Sequence, residues 1–285
     1  RGMAGVAPTA QQALAESESL FNEWHRGADG RITVMLGPHA PYTCPPAYLR
    51  KVVELAQKLG AEIHIHLSET ADEVKTCYEK HGQSPIALMN ELGVLDCGVL
   101  AAHCVHLSPD DIALMAAKKV RVAHNPGSNM KLASGIAPVP DLLAAGVVTA
   151  LGTDGAASNN NLDMVEELRL AALLHKVQRL DPVVIPALTA VDMATRQGAL
   201  AAGLGDIIGI LAPGYRADIT LFDMHAPHWY PRHNRLSLLT YAAAAADVHT
   251  VFVDGKILLD NRKLTTIDEE KLMAEVAQRG IRLVQ

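Results

Sequence analysis

Three apolar, strand-like runs in this chain each end in residues that bind metal or move protons. They are residues 61–69 (AEIHIHLSE), 99–106 (VLAAHCVH) and 148–160 (VTALGTDGAASNN). His66, His103 and Asp154 stand where a strand gives way to the loop after it, the place where α/β barrels keep their chemistry. His64 and His66 are two residues apart, so on a strand both imidazoles share one face. Glu69 follows at the strand's exit, where a carboxylate can reach a substrate. Imidazoles and carboxylates converging in this way suit a catalytic divalent metal with an open water position and acid–base groups beside it. Each residue also has an ordinary reading. A histidine pair can line a core, a strand-end His can be held by a backbone carbonyl, and an Asp can cap a helix. Ser158 and Asn159 are better placed than Asp154 for capping, and the three ends occurring together favour chemistry. Cys104 invites a nucleophile reading. On a continuing strand, however, it points away from the face of His103, and a small buried Cys is the usual case. His39 (GPHAP) and His124 (AHNP) also end strands, and either binds substrate or anchors a loop. The remaining histidines, His175 among them, fall on helices or surface-like stretches.

The elements that position these residues follow from periodicity. Residues 10–26 read as an amphipathic helix with Leu14, Leu20, Phe21 and Trp24 on one side. A turn at 27–30 leads to a buried strand over 31–36, then a helix over 45–59 stopped by Gly60. Strand 61–67 precedes helices over 70–81 and 85–92. Strand 98–103 precedes Ser108-Pro109-Asp110-Asp111, a helix start with Ser as N-cap, Pro in the first turn and acids at the positive end of the dipole. Strand 119–124, a helix over 139–145, and strand 147–152 with its following helices complete five strand–helix units. Strands apolar on both faces, such as 147–151 (VVTAL), need helices on both sides, so the alternation predicts α/β with a parallel sheet. Five units are too few for a closed eight-stranded barrel. After residue 205, short β-branched runs between turn residues predict a small β unit with a hairpin turning at Asp254-Gly255. The alanine-rich run 236–246 predicts a buried helix, and 267–278 a closing one. The expected division is a partial (β/α) barrel over 1–205, part of a β-sandwich over 206–262 and a C-terminal helix over 263–285.

Bulk properties exclude several classes. The 285 residues are 49% hydrophobic, enough for a large core, and carry a net charge of −6 with basic residues scattered, which gives nucleic acid no electrostatic footing. The four cysteines form no CxxC pair, so a reduced, cytoplasmic setting is expected. No apolar run approaches the roughly 20 residues that span a bilayer, so no membrane partner is expected. There is no signal-peptide pattern. Arg1-Gly2-Met3 is not a natural start, and the chain is expected to be a fragment of something longer.

Together GPHAPYTC, HIHLSET, AAHCVHL, AHNPGSNMKLASGIAPVP, LGTDGAASNNNLDM and the tail IGILAPGYRADITLFD resemble the amidohydrolase superfamily, in its branch of methylthioadenosine/S-adenosylhomocysteine deaminases and their chlorohydrolase relatives. The resemblance covers nearly the whole chain. It implies a TIM-type (β/α)8 metal-dependent hydrolase barrel, here lacking its first strands, with a small composite β-sandwich domain. It implies one divalent metal, Zn2+ or else Fe2+, bound in part by His66 on the fifth barrel strand and Asp154 on the eighth. By the same resemblance His103, on the sixth, orients the attacking water, Glu69 protonates the purine ring nitrogen, and Asp154 also takes the water's proton. His39 and Arg1 are implied substrate contacts. The family's further His-x-His pair, on the first barrel strand, has no counterpart: no segment before Arg31 serves, and His64-x-His66 matches the fifth strand. An arginine that some relatives carry shortly after the Arg1 position is also missing. No lysine stands near His39 to bridge two metals. The implied reaction is hydrolytic deamination of an adenine nucleoside (5′-methylthioadenosine, S-adenosylhomocysteine or adenosine) to an inosine-type product and ammonia, in a cytoplasmic homo-oligomer. The alternatives are hydrolysis of another aminated or halogenated ring, such as a triazine or oxidised purine, and a non-catalytic remnant that acts as a binding module.

Overall fold

The computed structural model describes residues 9–284. Four strands, β1 (Ile63–Leu67), β2 (Val99–His103), β3 (Arg121–His124) and β4 (Thr149–Leu151), form a parallel sheet in that order. The register levels their C-terminal ends: Leu67 lies beside His103, and His124 beside Leu151. The site residues therefore leave the sheet along one edge.

Along β1, Ile63, Ile65 and Leu67 are buried while His64 and His66 are half-buried on the other face. The apolar side meets an outer layer of helices. Helix Pro46–Leu59 buries Leu49, Val52, Val53, Leu55 and Ala56 against it. Helices Ala71–His81, Pro85–Glu91 and Pro109–Ala117 are each begun by the side chain of Thr70, Ser84 or Ser108 accepting a backbone N–H. The 108–111 start is the capping box that its sequence foretold. Burial of each Leu or Ile in this layer contributes about 1.5–3 kcal/mol, so the helices hold the sheet in place chiefly by packing.

Several elements differ from the sequence reading. The strand expected over 31–36 reduces to one bridge, Leu36 to Ile63, with Leu36 N–H donating to the Glu62 carbonyl and the Leu36 carbonyl accepting from His64 N–H, both at 2.9 Å. Leu36 is the buried residue of that run, which lies at the open edge of the sheet, so packing does not complete a ladder there. A helix over Pro126–Lys131 had no sequence signal, because Gly127, Ser128 and Asn129 are poor helix formers. Its place is set by burial of Pro126, Ser128 and Asn129. The alanine-rich run yields a shorter helix, Arg235–Tyr241, in which Thr240 is buried while Leu236 and Tyr241 are exposed.

The second sheet is antiparallel: β5 (Ile219–Phe222), β6 (Val248–Val253), β7 (Lys256–Asp260) and β8 (Lys263–Leu264). Asp254 (φ 51°) and Gly255 (φ 74°) turn the β6–β7 hairpin with two left-handed residues, the pairing expected of Asp-Gly. Helix Glu269–Val284 runs beyond its expected end and exposes Leu272, Met273 and Val276. Among the described residues no helix is long and apolar enough to cross a membrane.

Candidate active site

The three strand ends turn by the same device. Ser68 (φ 52°), His103 (φ 69°) and Asp154 (φ 61°) all sit in the left-handed region. Non-glycine residues hold that conformation at a cost of order 1–3 kcal/mol, and such residues cluster at functional sites. Here the cost is offset by bonds between neighbouring loops: Cys104 N–H donates to the Leu67 carbonyl, while Val105 and His106 N–H donate to that of Ser68.

His66 donates its Nδ1–H to the His39 carbonyl at 2.7 Å. A carbonyl only accepts, so this bond fixes the tautomer and leaves the Nε2 lone pair free to bind a metal. The His66 ring stacks on that of His103, with centroids 5.3 Å apart and planes at 23°. His103 is buried; its Nδ1 bonds to Asn129 Oδ1 at 2.8 Å, and its Nε2 lies 3.9 Å from Glu69 Oε2. Glu69 Oε1 accepts from the Ser134 hydroxyl at 3.3 Å.

Asp154 completes the group. Its Oδ2 accepts from the Ser128 hydroxyl at 2.7 Å and its Oδ1 from Gly155 N–H at 2.6 Å. Burial pushes its carboxyl up, but those two bonds and the nearby His103 and His66 outweigh burial and hold it below the ordinary carboxylate value. It is the ionised partner that a metal or a proton transfer needs.

His39 is exposed, with its ring 4.9 Å from that of His66 and its Nδ1 bonded to Thr43 Oγ1 at 2.8 Å. Burial of its ring, with His66 next in effect, pushes its pKa down against the pull of Glu69. Arg1 lies outside the described residues. His124 is a buried member of a histidine pair rather than a loop anchor. Its Nε2 is 3.4 Å from Nε2 of His175, which is likewise fully buried and not on the surface-like stretch that its helix suggested. Cys104 is fully buried, and burial pushes its thiol far up, which removes the nucleophile reading.

Among the described residues no group of three or more His, Cys, Asp and Glu side chains is close enough to hold a metal by itself. His66 and Asp154 fit as two ligands of a larger set: one imidazole with its second nitrogen tied back, and one carboxylate held charged.

Sequence reasoning passed over the residues that hold this group. Ser128, Asn129 and Ser134 lie on one segment and touch Asp154, His103 and Glu69 respectively. Glu73 is buried; its oxygens accept from Ser68 N–H at 2.9 Å and Glu69 N–H at 2.7 Å, which fixes the backbone beneath Glu69. Asn159 caps no helix; its amide donates to the Thr153 carbonyl and to Glu167. Small polar residues in such short segments follow no period, so only the HNPGSN and SNN strings themselves marked the region.

The sequence profile described as "Amidohydrolase family" matches residues 3–258. The chain belongs to the amidohydrolase family. A curated relative of this amidohydrolase chain from Pelotomaculum thermopropionicum, named 5-methylthioadenosine/S-adenosylhomocysteine deaminase, is 55% identical over 100% of this chain and 65% of its own length. One of the same name from Moorella thermoacetica is 52% identical over 98% of this chain and 65% of its own. The chain thus spans about 65% of the length of these relatives. Among solved structures, an adenosine deaminase from Xanthomonas campestris with bound zinc has a TM-score of 0.92 and 39% identity, over 95% of this chain and 62% of that one. An atrazine chlorohydrolase from Arthrobacter aurescens complexed with zinc has a TM-score of 0.87 and 25% identity, over 95% of this chain and 60% of that one. The amidohydrolase resemblance and the α/β fold expected from the motifs hold.

Proposed function

We propose that this amidohydrolase chain carries the acid–base groups and part of the metal-ligand set of a hydrolytic deaminase for adenine nucleosides. The observation that carries this reading is the convergence of His66, His103, Glu69 and Asp154 at one sheet edge, with His66 Nε2 left free and Asp154 held charged. The names of the relatives support 5′-methylthioadenosine, S-adenosylhomocysteine or adenosine as substrate.

In this reading His66 and Asp154 hold one divalent metal, with zinc favoured by imidazole and carboxylate donors and iron(II) the alternative. The remaining ligands are a His-x-His pair, and the only such spacing in this chain is already used at His64–His66. A bound metal of this kind supplies a water acidified into the neutral pH range. His103, with Nδ1–H directed at Asn129, presents its Nε2 lone pair to orient that water. The Asp154 carboxylate takes the water's proton as oxygen adds to C6 of the adenine ring. Glu69 delivers a proton to the neighbouring ring nitrogen, which neutralises the negative charge that would develop there. Asp154 then passes its proton to the amino group, the C6–N bond breaks and ammonia leaves, and the proton of the C6 hydroxyl returns to Glu69, which leaves the C6 carbonyl beside a protonated ring nitrogen. His39, exposed at the rim beside His66, contacts the substrate.

A substrate panel tests the assignment, using the protein extended to the length of its relatives. Adenine nucleosides are expected to give inosine-type products with release of ammonia, and a chlorinated triazine to be left untouched. Dechlorination of the triazine without purine turnover would replace this reading with the chlorohydrolase one.

A further inference from the structure

Glu167 lies on helix Met164–Arg179, outside the four residues given chemistry, yet it is 1% exposed and both its oxygens are used. Oε2 accepts from Gly127 N–H at 2.9 Å and Oε1 from the Asn159 amide at 2.7 Å. The same Asn159 amide donates to the Thr153 carbonyl at 2.8 Å, one residue before Asp154. Gly127 precedes Ser128 and Asn129, which bond to Asp154 and His103. A Cβ on Gly127 would collide with the Glu167 carboxylate, so that glycine admits the close approach.

From this geometry we infer that Glu167 is a positioning residue for the deaminase site. Its carboxylate ties the segment after β3 to the segment after β4. It thereby sets where Ser128 meets Asp154 and where Asn129 orients the His103 ring. A buried carboxylate with a donor on each oxygen does this better than a carboxamide, whose NH2 end would face a donor. The inference rests on the reaction proposed above, so its test includes a readout independent of turnover.

The test is Glu167→Gln in the protein extended to its relatives' length, with Glu166→Gln on the exposed side of the same helix as control. Three quantities are measured: kcat and KM separately, cooperative thermal unfolding, and the nitrogen-15 resonances of the His103 imidazole. Glu167→Gln is expected to unfold cooperatively, lose kcat by about 30-fold or more through misplaced groups, and keep KM within about threefold. The His103 Nδ1 resonance is expected to leave its hydrogen-bonded position, and Glu166→Gln to change neither. A folded Glu167→Gln with kcat within about twofold of the parent and an unmoved His103 resonance would overturn the inference. If Glu167→Gln does not fold, Asn159→Ala removes the other half of the tie at a half-buried site. The same kcat loss supports the inference and an unchanged kcat overturns it. If the parent protein deaminates no purine, the reaction assignment fails, and the His103 resonance alone decides whether Glu167 positions the ring.

Discussion

Asp154 works through a balance that a single atom can upset. Burial would protonate it, while the Ser128 hydroxyl, the Gly155 N–H and two imidazoles keep it charged. Asp154→Asn keeps the shape, with its one carbonyl oxygen placed to accept from Gly155 N–H and its NH2 turned to the Ser128 hydroxyl, which can accept as well as donate, but in the proposed reaction it cannot carry a proton between water and ammonia. In the protein extended to its relatives' length, it is expected to lower kcat by about 10³-fold or more while thermal unfolding stays cooperative. Turnover near that of the parent would show that the proton travels elsewhere. Its placement at the end of an apolar strand, like that of His66 and His103, made Asp154 conspicuous in sequence. The residues that hold it were not conspicuous. Glu167 sits in a Glu166-Glu167 pair that looks like a solvated helix face, and Ser128 and Asn129 sit in a short helix, Pro126–Lys131, that has no sequence signal. Burial alone distinguishes them, and burial is a property of the assembled fold.

At the scale of elements, helix Met164–Arg179 is joined to the sheet by a second buried contact, the His124–His175 pair. Burial pushes His175 from its ordinary 6.5 down to about 4, and holds His124 well below its ordinary value with the His175 charge adding to the effect. Both are neutral bases whose charged form the folded state disfavours. The unfolded chain therefore binds more protons below pH 6.5, and the contribution of His175 is present above 6.5 and lost as pH falls toward about 4. For His175 alone the loss between about pH 7 and about pH 5 is about 2 kcal/mol. Urea unfolding at the two pH values is expected to show at least that loss in the parent and a flatter dependence in His175→Gln. An equal slope in both proteins would show that the pair is not what the acid side acts on. The pair was hidden in sequence because His175 lies on a helix 51 residues from His124, and nothing local to either histidine marks the other as its partner. The capping box at Ser108 and the Asp254-Gly255 hairpin were legible, since each is a local arrangement with a local signal. Strand 31–36 was over-read because a run of apolar residues cannot show whether a partner strand exists on its far side.

For the whole molecule, strand–helix alternation made the α/β class visible, and the change in texture after residue 205 corresponds to a second sheet that begins at Ile219. The levelled strand ends explain why residues 85 positions apart in sequence, from Glu69 to Asp154, meet at one edge. The chain belongs to the amidohydrolase family and spans 65% of the length of relatives named as deaminases, and the chemistry proposed for this edge is the one those names carry. The most direct measurement is turnover of 5′-methylthioadenosine in oxygen-18 water by the protein extended to that length. One labelled oxygen at C6 and one ammonia per nucleoside consumed is the expected result. Purine left intact, or ammonia released without label in the ring product, would contradict hydrolytic deamination at this site.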